Sequence, residues 1–423
     1  MRSCVVRGSV RHPSFVTSAP LVVSMLLVLA FASSALAAGG GLDTSFGVGG
    51  RVTTNFAADA SASAVAIQAD GKIVAAGGAG VDFALARYNT DGTLDTTFST
   101  NGKVTTAFTD GSFANAVAIQ SDGKIIAAGG AQGFALARYD TDGALDPTFG
   151  TGGLVTTSVT SGTNQANDVA IQADGKIVAA GFATPGGPWR RHFAVARYLS
   201  DGTLDTSFGD GGTVVTAFGV SGVANAVVLL PNQKIVLAGT NGGGFALARY
   251  LSDGTLDASF GNGGKVATTL PGGAGGSAYA VTLQPDGKIV AGGSYDFYWF
   301  AVARYTLHGG LDRTFGGDGF AITDVGQGGE QWVSGLVIRA SGKVVAVGGE
   351  GPHEGGEASP RFVLTRYRAN GVLDPTFGGG DGKVITKFVD GAAASGGVAQ
   401  ADGKIVAVGT SAGTSFALAR YAV

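Results

Sequence analysis

Cysteine occurs once in this chain of 423 residues, as Cys4 close to the N-terminus. The rest of the chain therefore has no disulfide, no thiolate metal site and no cysteine nucleophile. Histidine is nearly as scarce: His12, His192, His308 and His353 are the whole set, and the last three lie too far apart to form a metal-spaced pair. Charge is thin, with 14% of residues charged and a formal net charge of −3. Phosphate-backbone binding needs clustered basic charge, so no nucleic-acid partner is expected. Every Gly-Lys is followed by valine or isoleucine. Glycine-rich runs such as Gly272 to Gly276 are thus not phosphate loops, because no Gly-Lys-Ser/Thr opens a helix. A serine nucleophile elbow is also missing. No catalytic residue, metal or cofactor is assigned.

Glycine is what the chain has in excess, at 74 residues, alongside 45% hydrophobic residues. No Gly-X-Y period runs through it, which excludes collagen, and the apolar content is too high for a disordered chain. Glycine-rich, apolar and weakly charged describes many short strands joined by tight turns.

Residues 1–37 read as a secretory signal. Arg2, Arg7 and Arg11 form a positive start, Leu21 to Ala32 is a short apolar core, and Ala35-Leu36-Ala37 fits cleavage before Ala38. A secreted or periplasmic protein follows, with residues 38–423 as its single domain and 25 basic against 31 acidic residues. The alternative is an uncleaved signal that anchors the protein in a membrane. No later stretch is long and apolar enough to span a bilayer.

Everything after the signal is one repeat, and three signatures each recur seven times in fixed order. Leu-Asp-x-x-Phe carries Asp43, Asp95, Asp146, Asp205, Asp257, Asp312 and Asp374, spaced 52, 51, 59, 52, 55 and 62 residues apart. The AVAIQADGKIVAAG type carries Lys72, Lys124, Lys176, Lys234, Lys288, Lys343 and Lys404. The FALARY type carries Arg87, Arg138, Arg197, Arg249, Arg304, Arg366 and Arg420. A strand-like unit of this length predicts propeller blades. Asp70-Gly71 between two apolar runs is a hairpin signal, Phe83 to Tyr88 a third strand, and Gly102 to Thr106 a fourth. The expected fold is all-β: a seven-bladed β-propeller of four-stranded antiparallel blades. The chain ends on a third strand and starts on a fourth, so the N-terminal strand should complete the last blade and close the ring.

LDxxFGxxGxV, xDGKIVAAG and FALARYxxDG together resemble the bacterial delta-60 repeat family, across essentially the whole chain beyond the signal. A weaker similarity links the hairpin pattern to NHL-type repeats. The resemblance implies an exported propeller and supplies no catalytic residues. Repeats six and seven depart from the pattern in their inner strands, at Gly335 to Ser341 and Gly396 to Ala401.

The repeated charges admit two readings. A basic or acidic ring could bind a ligand, or one arginine–aspartate contact per blade could hold the structure; sevenfold repetition favours the second. Asp140 to Asp146 resembles a calcium loop, but its equivalents begin with Asn89, Leu199, Leu251 and Arg368, so an ordinary Asp-Gly turn is preferred.

Function is best sought where the copies differ. The loop between second and third strands spans 5, 4, 11, 5, 7, 13 and 6 residues, whereas the Asp-Gly turns barely change. One face should be uniform and the other individual. Trp189, Arg190, Tyr298, Trp299 and Trp332 fall on the individual face, with Glu350, His353 and Glu354 in its longest loop. Such aromatics with mixed charge suit a glycan or protein ligand, or they simply pin the loops to the rim. A second candidate is a polar ring at the channel mouth: Ser63, Asn115, Asn167, Asn225, Tyr279, Ser334 and Ser395. It binds a small ligand or satisfies crowded backbone groups. The expectation is a monomeric, exported binding or scaffolding module for a polysaccharide or protein. The alternative is a metal-assisted hydrolase or lactonase at the channel mouth.

Overall fold

Each Asp-Gly hairpin folds the chain back on itself in the way its residues demand. In the first blade, Asp70 Oδ1 accepts the Lys72 amide at 3.0 Å, and Gly71 takes the left-handed φ of 85° that closes the turn. The strands on either side are Ala60–Ile67 and Ile73–Ala79, followed by Asp82–Tyr88 and Lys103–Thr106, side by side and antiparallel. Every residue of Ile73–Ala79 is buried, because both faces of a blade lie against neighbours. The computed structural model describes residues 39–423, apart from 110, 188, 189, 220, 274, 327 and 353–358. The signal segment with its cleavage site lies outside the described residues.

Seven such four-stranded sheets form the protein, a seven-bladed β-propeller. The last sheet joins both ends of the described chain: Arg51–Thr54 pairs with Ser415–Tyr421, with Arg51 opposite Ala419 and Thr54 opposite Phe416. The inner strands of blades six and seven, despite their divergent sequence, form full strands at Gln331–Ile338 and Ala392–Ala399. Among the described residues the single helical element is a 3₁₀ turn at Pro271–Gly273, and no helix is long and apolar enough to cross a membrane. The hydrophobic core lies between blades. Ile126 and Leu136 of the second blade, for example, pack in one cluster with Ala179 and Ala194 of the third.

The third strand fastens each blade to both neighbours. Its arginine is buried, and Nε pairs with the Leu-Asp aspartate of the same blade at 2.7 to 2.9 Å in all seven copies. The same carboxylate takes the hairpin lysine, from Lys124–Asp146 at 2.6 Å to Lys176–Asp205 at 3.2 Å. The guanidinium lies over the Leu-Asp-x-x-Phe ring, 4.4 to 4.8 Å from its centroid. It then reaches forward: Arg304 Nη1 donates to Ala369 O of the next blade at 2.6 Å, and Arg87, Arg138, Arg197, Arg249 and Arg420 do the same to Thr141, Ser200, Ser252, Leu307 and Thr90. The adjoining tyrosine reaches backward. Tyr198 donates to Thr157 Oγ1 of the preceding outer strand at 2.9 Å, Tyr250 to Thr216 at 2.8 Å, and each of the other five to its equivalent threonine.

The repeated charges are therefore structural. In the stretch resembling a calcium loop, Lys124 Nζ lies 2.7 Å from Asp140 and 2.6 Å from Asp146, so an ammonium bridges those carboxylates. Burial alone would raise these aspartates. For Asp95 that push is outweighed by hydrogen bonds from Thr97 and Lys72 and by the Arg87 charge, which hold it well below the usual carboxylate range. A depressed aspartate contributes its full stability above its unfolded pKa and loses it as pH falls towards the folded one. The clamps should hold fully above about pH 4 and give way cooperatively below it, as a circular-dichroism acid titration would show. Arg249→Met should cost about 3 kcal/mol by breaking a buried pair. Tyr250→Phe should cost about 1 kcal/mol by losing a single hydrogen bond. Urea unfolding compares the two.

Candidate functional site

A β-bulge interrupts every inner strand at the same place. The register slips between Ala62 and Ala64, Ala114 and Ala116, Ala166 and Asp168, Ala224 and Ala226, Ala278 and Ala280, Val333 and Gly335, and Ala394 and Gly396. The extra residue in each case is a member of the polar ring: Ser63, Asn115, Asn167, Asn225, Tyr279, Ser334 and Ser395. A bulge re-aims a side chain, and here all seven line one axial cavity of about 630 Å³. The second-strand glycine opposite the bulge has no room for a side chain. A Cβ on Gly181 would lie 1.9 Å from Gln165 O.

Four ring members hold the next blade. Asn115, Asn167 and Asn225 each donate through Nδ2 at 2.8 Å to Ala166 O, Ala224 O and Ala278 O, each the residue just before the neighbouring bulge. Ser334 Oγ donates to Ala394 O at 3.2 Å in the same relation. Each of these bonds uses one donor, so every asparagine amide keeps a second N–H.

The cavity opens on the variable face, where its wall is formed by blades five and six. Phe297 stands in the turn between Tyr295 and Trp299, with Asp296 and Phe297 both in the left-handed region at φ 49° and 64°. Two successive non-glycine residues there are uncommon and costly, and this turn puts an aromatic at the cavity rim. Glu330 and Trp332 complete that side, and the Trp332 indole donates to Ala394 O at 3.2 Å. Ser294 Oγ, in a residue only 2% exposed, lines the cavity with no partner among the described residues.

Blade three contributes Asp168, where the equivalent residues are alanine or glycine. Its Oδ1 accepts the Val169 amide and its Oδ2 the Val227 amide of blade four, both at 2.8 Å. Burial pushes its carboxyl up to about 6, against the pull of those two amides. No titratable residue occurs in the flanking inner strands, Phe113–Ile119 and Val223–Leu229. Asp168 and Ser294 escaped the sequence reading. The signal for Asp168 was one acid in a column of small residues; Ser294 offered none, since its significance is the missing partner.

The remaining candidates separate. Tyr298 and Trp299 are 47% and 36% exposed, beside Phe297, with Trp299 stacked on Tyr295 at 5.3 Å. Arg190 is exposed on the long loop of blade three and is not part of the cavity wall. Glu350, expected on the exposed face, is instead 1% exposed, with Arg361 Nε 3.5 Å away. Its position ends the second strand of blade six, opposite Arg361 of the third strand. Trp189, His353 and Glu354 lie outside the described residues.

These features define a seven-bladed β-propeller with a polar, aromatic-rimmed axial cavity. The chain belongs to the family described as Domain of unknown function (DUF5122) beta-propeller, whose model matches residues 68–98, 120–149, 172–208, 230–260, 284–315, 339–377 and 400–422. Those segments contain the arginine–tyrosine clamps but none of the seven ring residues, nor Asp168. No curated protein matches. Among solved structures the chain is similar to virginiamycin B lyase from Staphylococcus aureus, with 10% identity and a TM-score of 0.53, covering 88% of this chain and 98% of that one. A catalytically inactive form of that lyase with quinupristin gives 11% and 0.54, covering 88% and 99%. YCF48 bound to D1 peptide gives 12% and 0.51, covering 92% and 99%. At such identities the likeness is one of fold.

A carboxyl-resolved NMR titration should find one aspartate with a midpoint near pH 6, absent from Asp168→Asn. Because this pKa is raised, Asp168 should favour the folded state increasingly as pH falls from about 6 to about 4, the opposite sense to the clamp aspartates.

Proposed function

We propose that this chain is an exported binding or scaffolding module that takes a polysaccharide or protein on its variable face, at the mouth of the axial cavity. The observation that carries the reading is the convergence on one rim of Phe297, Glu330 and Trp332, with Tyr298 and Trp299 exposed beside them. Aromatic side chains that are half in water offer large rigid contact area to a ligand. The fold is one on which YCF48 is bound to D1 peptide and on which a lyase form is seen with quinupristin. Metal-assisted hydrolysis needs several ligands converging on the axis. What converges here is amide and hydroxyl groups with two carboxylates, Asp168 already accepting two backbone amides and Glu330 at the exposed rim.

The reading is tested by screening purified protein against glycan and peptide arrays. A ligand should emerge whose affinity falls at least about tenfold in Trp299→Ala or Tyr298→Ala, the scale of one lost aromatic contact. No ligand at all, or binding indifferent to both substitutions, overturns it. Export is tested separately, since protein recovered outside the cytoplasm should begin at Ala38 by N-terminal sequencing.

A further inference from the structure

The cavity wall is one-sided in charge. Among the described residues its charged members are Asp168 and Glu330, both acidic, with no lysine or arginine beside them. Each Asp168 oxygen accepts one backbone amide and keeps a further acceptor site. Asn115 fixes one Nδ2 hydrogen on Ala166 O, so its amide is held at the wall. Ser294 Oγ is buried in the wall without a partner among the described residues. On the side of blades five and six, Tyr279, Phe297 and Trp332 add aromatic surface. An acidic cavity with aromatic walls complements a group that carries positive charge on hydrogen-bond donors, namely an ammonium or guanidinium.

We propose that the axial cavity receives the basic side chain of a lysine or arginine from a protein ligand, with Asp168 and Glu330 as its charge partners, Ser294 Oγ as an acceptor, and Trp332 and Phe297 against its aliphatic stem. This rests on the reading of the variable face as a binding surface, and it narrows the ligand to a protein that projects a basic residue. A volume of about 630 Å³ admits such a side chain with ordered water. The rim aromatics hold the surrounding segment while the cavity reads the charge. Because the two acids come from blades three and six, only the closed ring brings them to one space.

The experiment is calorimetric titration with short glycine–serine peptides carrying a central lysine, arginine, glutamine or glutamate, with propylamine and methylguanidine as free-cation arms. Trp332 fluorescence reports occupancy, and near-ultraviolet circular dichroism checks that each variant is folded. Lysine or arginine peptides should bind at least about tenfold tighter than the glutamine peptide, with no binding of the glutamate peptide. Asp168→Asn should remove about tenfold or more of that preference, and Glu330→Gln, at the exposed rim, about two- to threefold in a salt-sensitive manner. Affinity should fall as pH drops through about 6, where Asp168 takes up a proton; Glu330 and Tyr279 are the other titratable groups in the wall. Should Asp168→Asn fail to fold, Glu330→Gln and Ser294→Ala carry the test. Equal affinity for lysine and glutamine peptides, or a preference that survives these substitutions, overturns the inference. Binding by the free cations but not the peptides overturns the protein source. A glycan or neutral peptide that depends on Trp299 but not on Asp168 overturns this inference and leaves the rim reading standing. The absence of any ligand overturns both.

Discussion

The structure depends on one buried side-chain assembly used seven times. An arginine in the third strand neutralises an aspartate of its own blade, stacks on the phenylalanine three residues after that aspartate and, in six of the seven copies, donates to a turn carbonyl of the next blade. A charge removed from water is tolerated only where its partners are complete, and here the lysine of the hairpin supplies the second cation on the same carboxylate. The adjacent tyrosine fastens the same strand to the threonine of the preceding blade. Two neighbouring residues thus point to opposite neighbours, since successive side chains on a strand face opposite ways. Blades this poor in large side chains would pack loosely otherwise; alanine and glycine allow the close approach that the polar clamps then orient.

Ring closure follows from the same geometry and has a consequence at the axis. Seven inner strands surround the channel, and the bulge in each turns one extra residue inward. The side chains so exposed fasten the next blade through carbonyls beside the neighbouring bulge. Four members of the polar ring satisfy neighbouring backbone, and all seven line the cavity. The stability of the ring and the chemistry of its centre are set by the same residues.

Much of the scaffold was legible because it is written seven times. The Asp-Gly turns, the blade count, the phase that places the N-terminal strand in the last sheet, and the arginine–aspartate pairing all follow from recurrence. The tyrosine–threonine latch was equally repeated, at Tyr88 with Thr54 and onwards, and was visible as two unvarying columns without an evident link. The candidate site was legible only in outline. The polar column and the rim segment Tyr295 to Trp299 stood out by composition, but Glu350 belongs to the interior beside Arg361, a burial that composition does not reveal.

Taken alone, the amino-acid sequence determined the strand pattern, the number of blades, the closure and the separation of a uniform from a variable face, because these depend on local turn chemistry and period. The tertiary structure alone decided which variable residues share a space. Asp168 and Glu330 are 162 positions apart, in blades three and six, and nothing local relates them. Only the bulges at the axis, with the curvature of the closed ring, bring acids, aromatics and an unpartnered hydroxyl to one cavity, since a ring makes neighbours of residues that the chain keeps far apart.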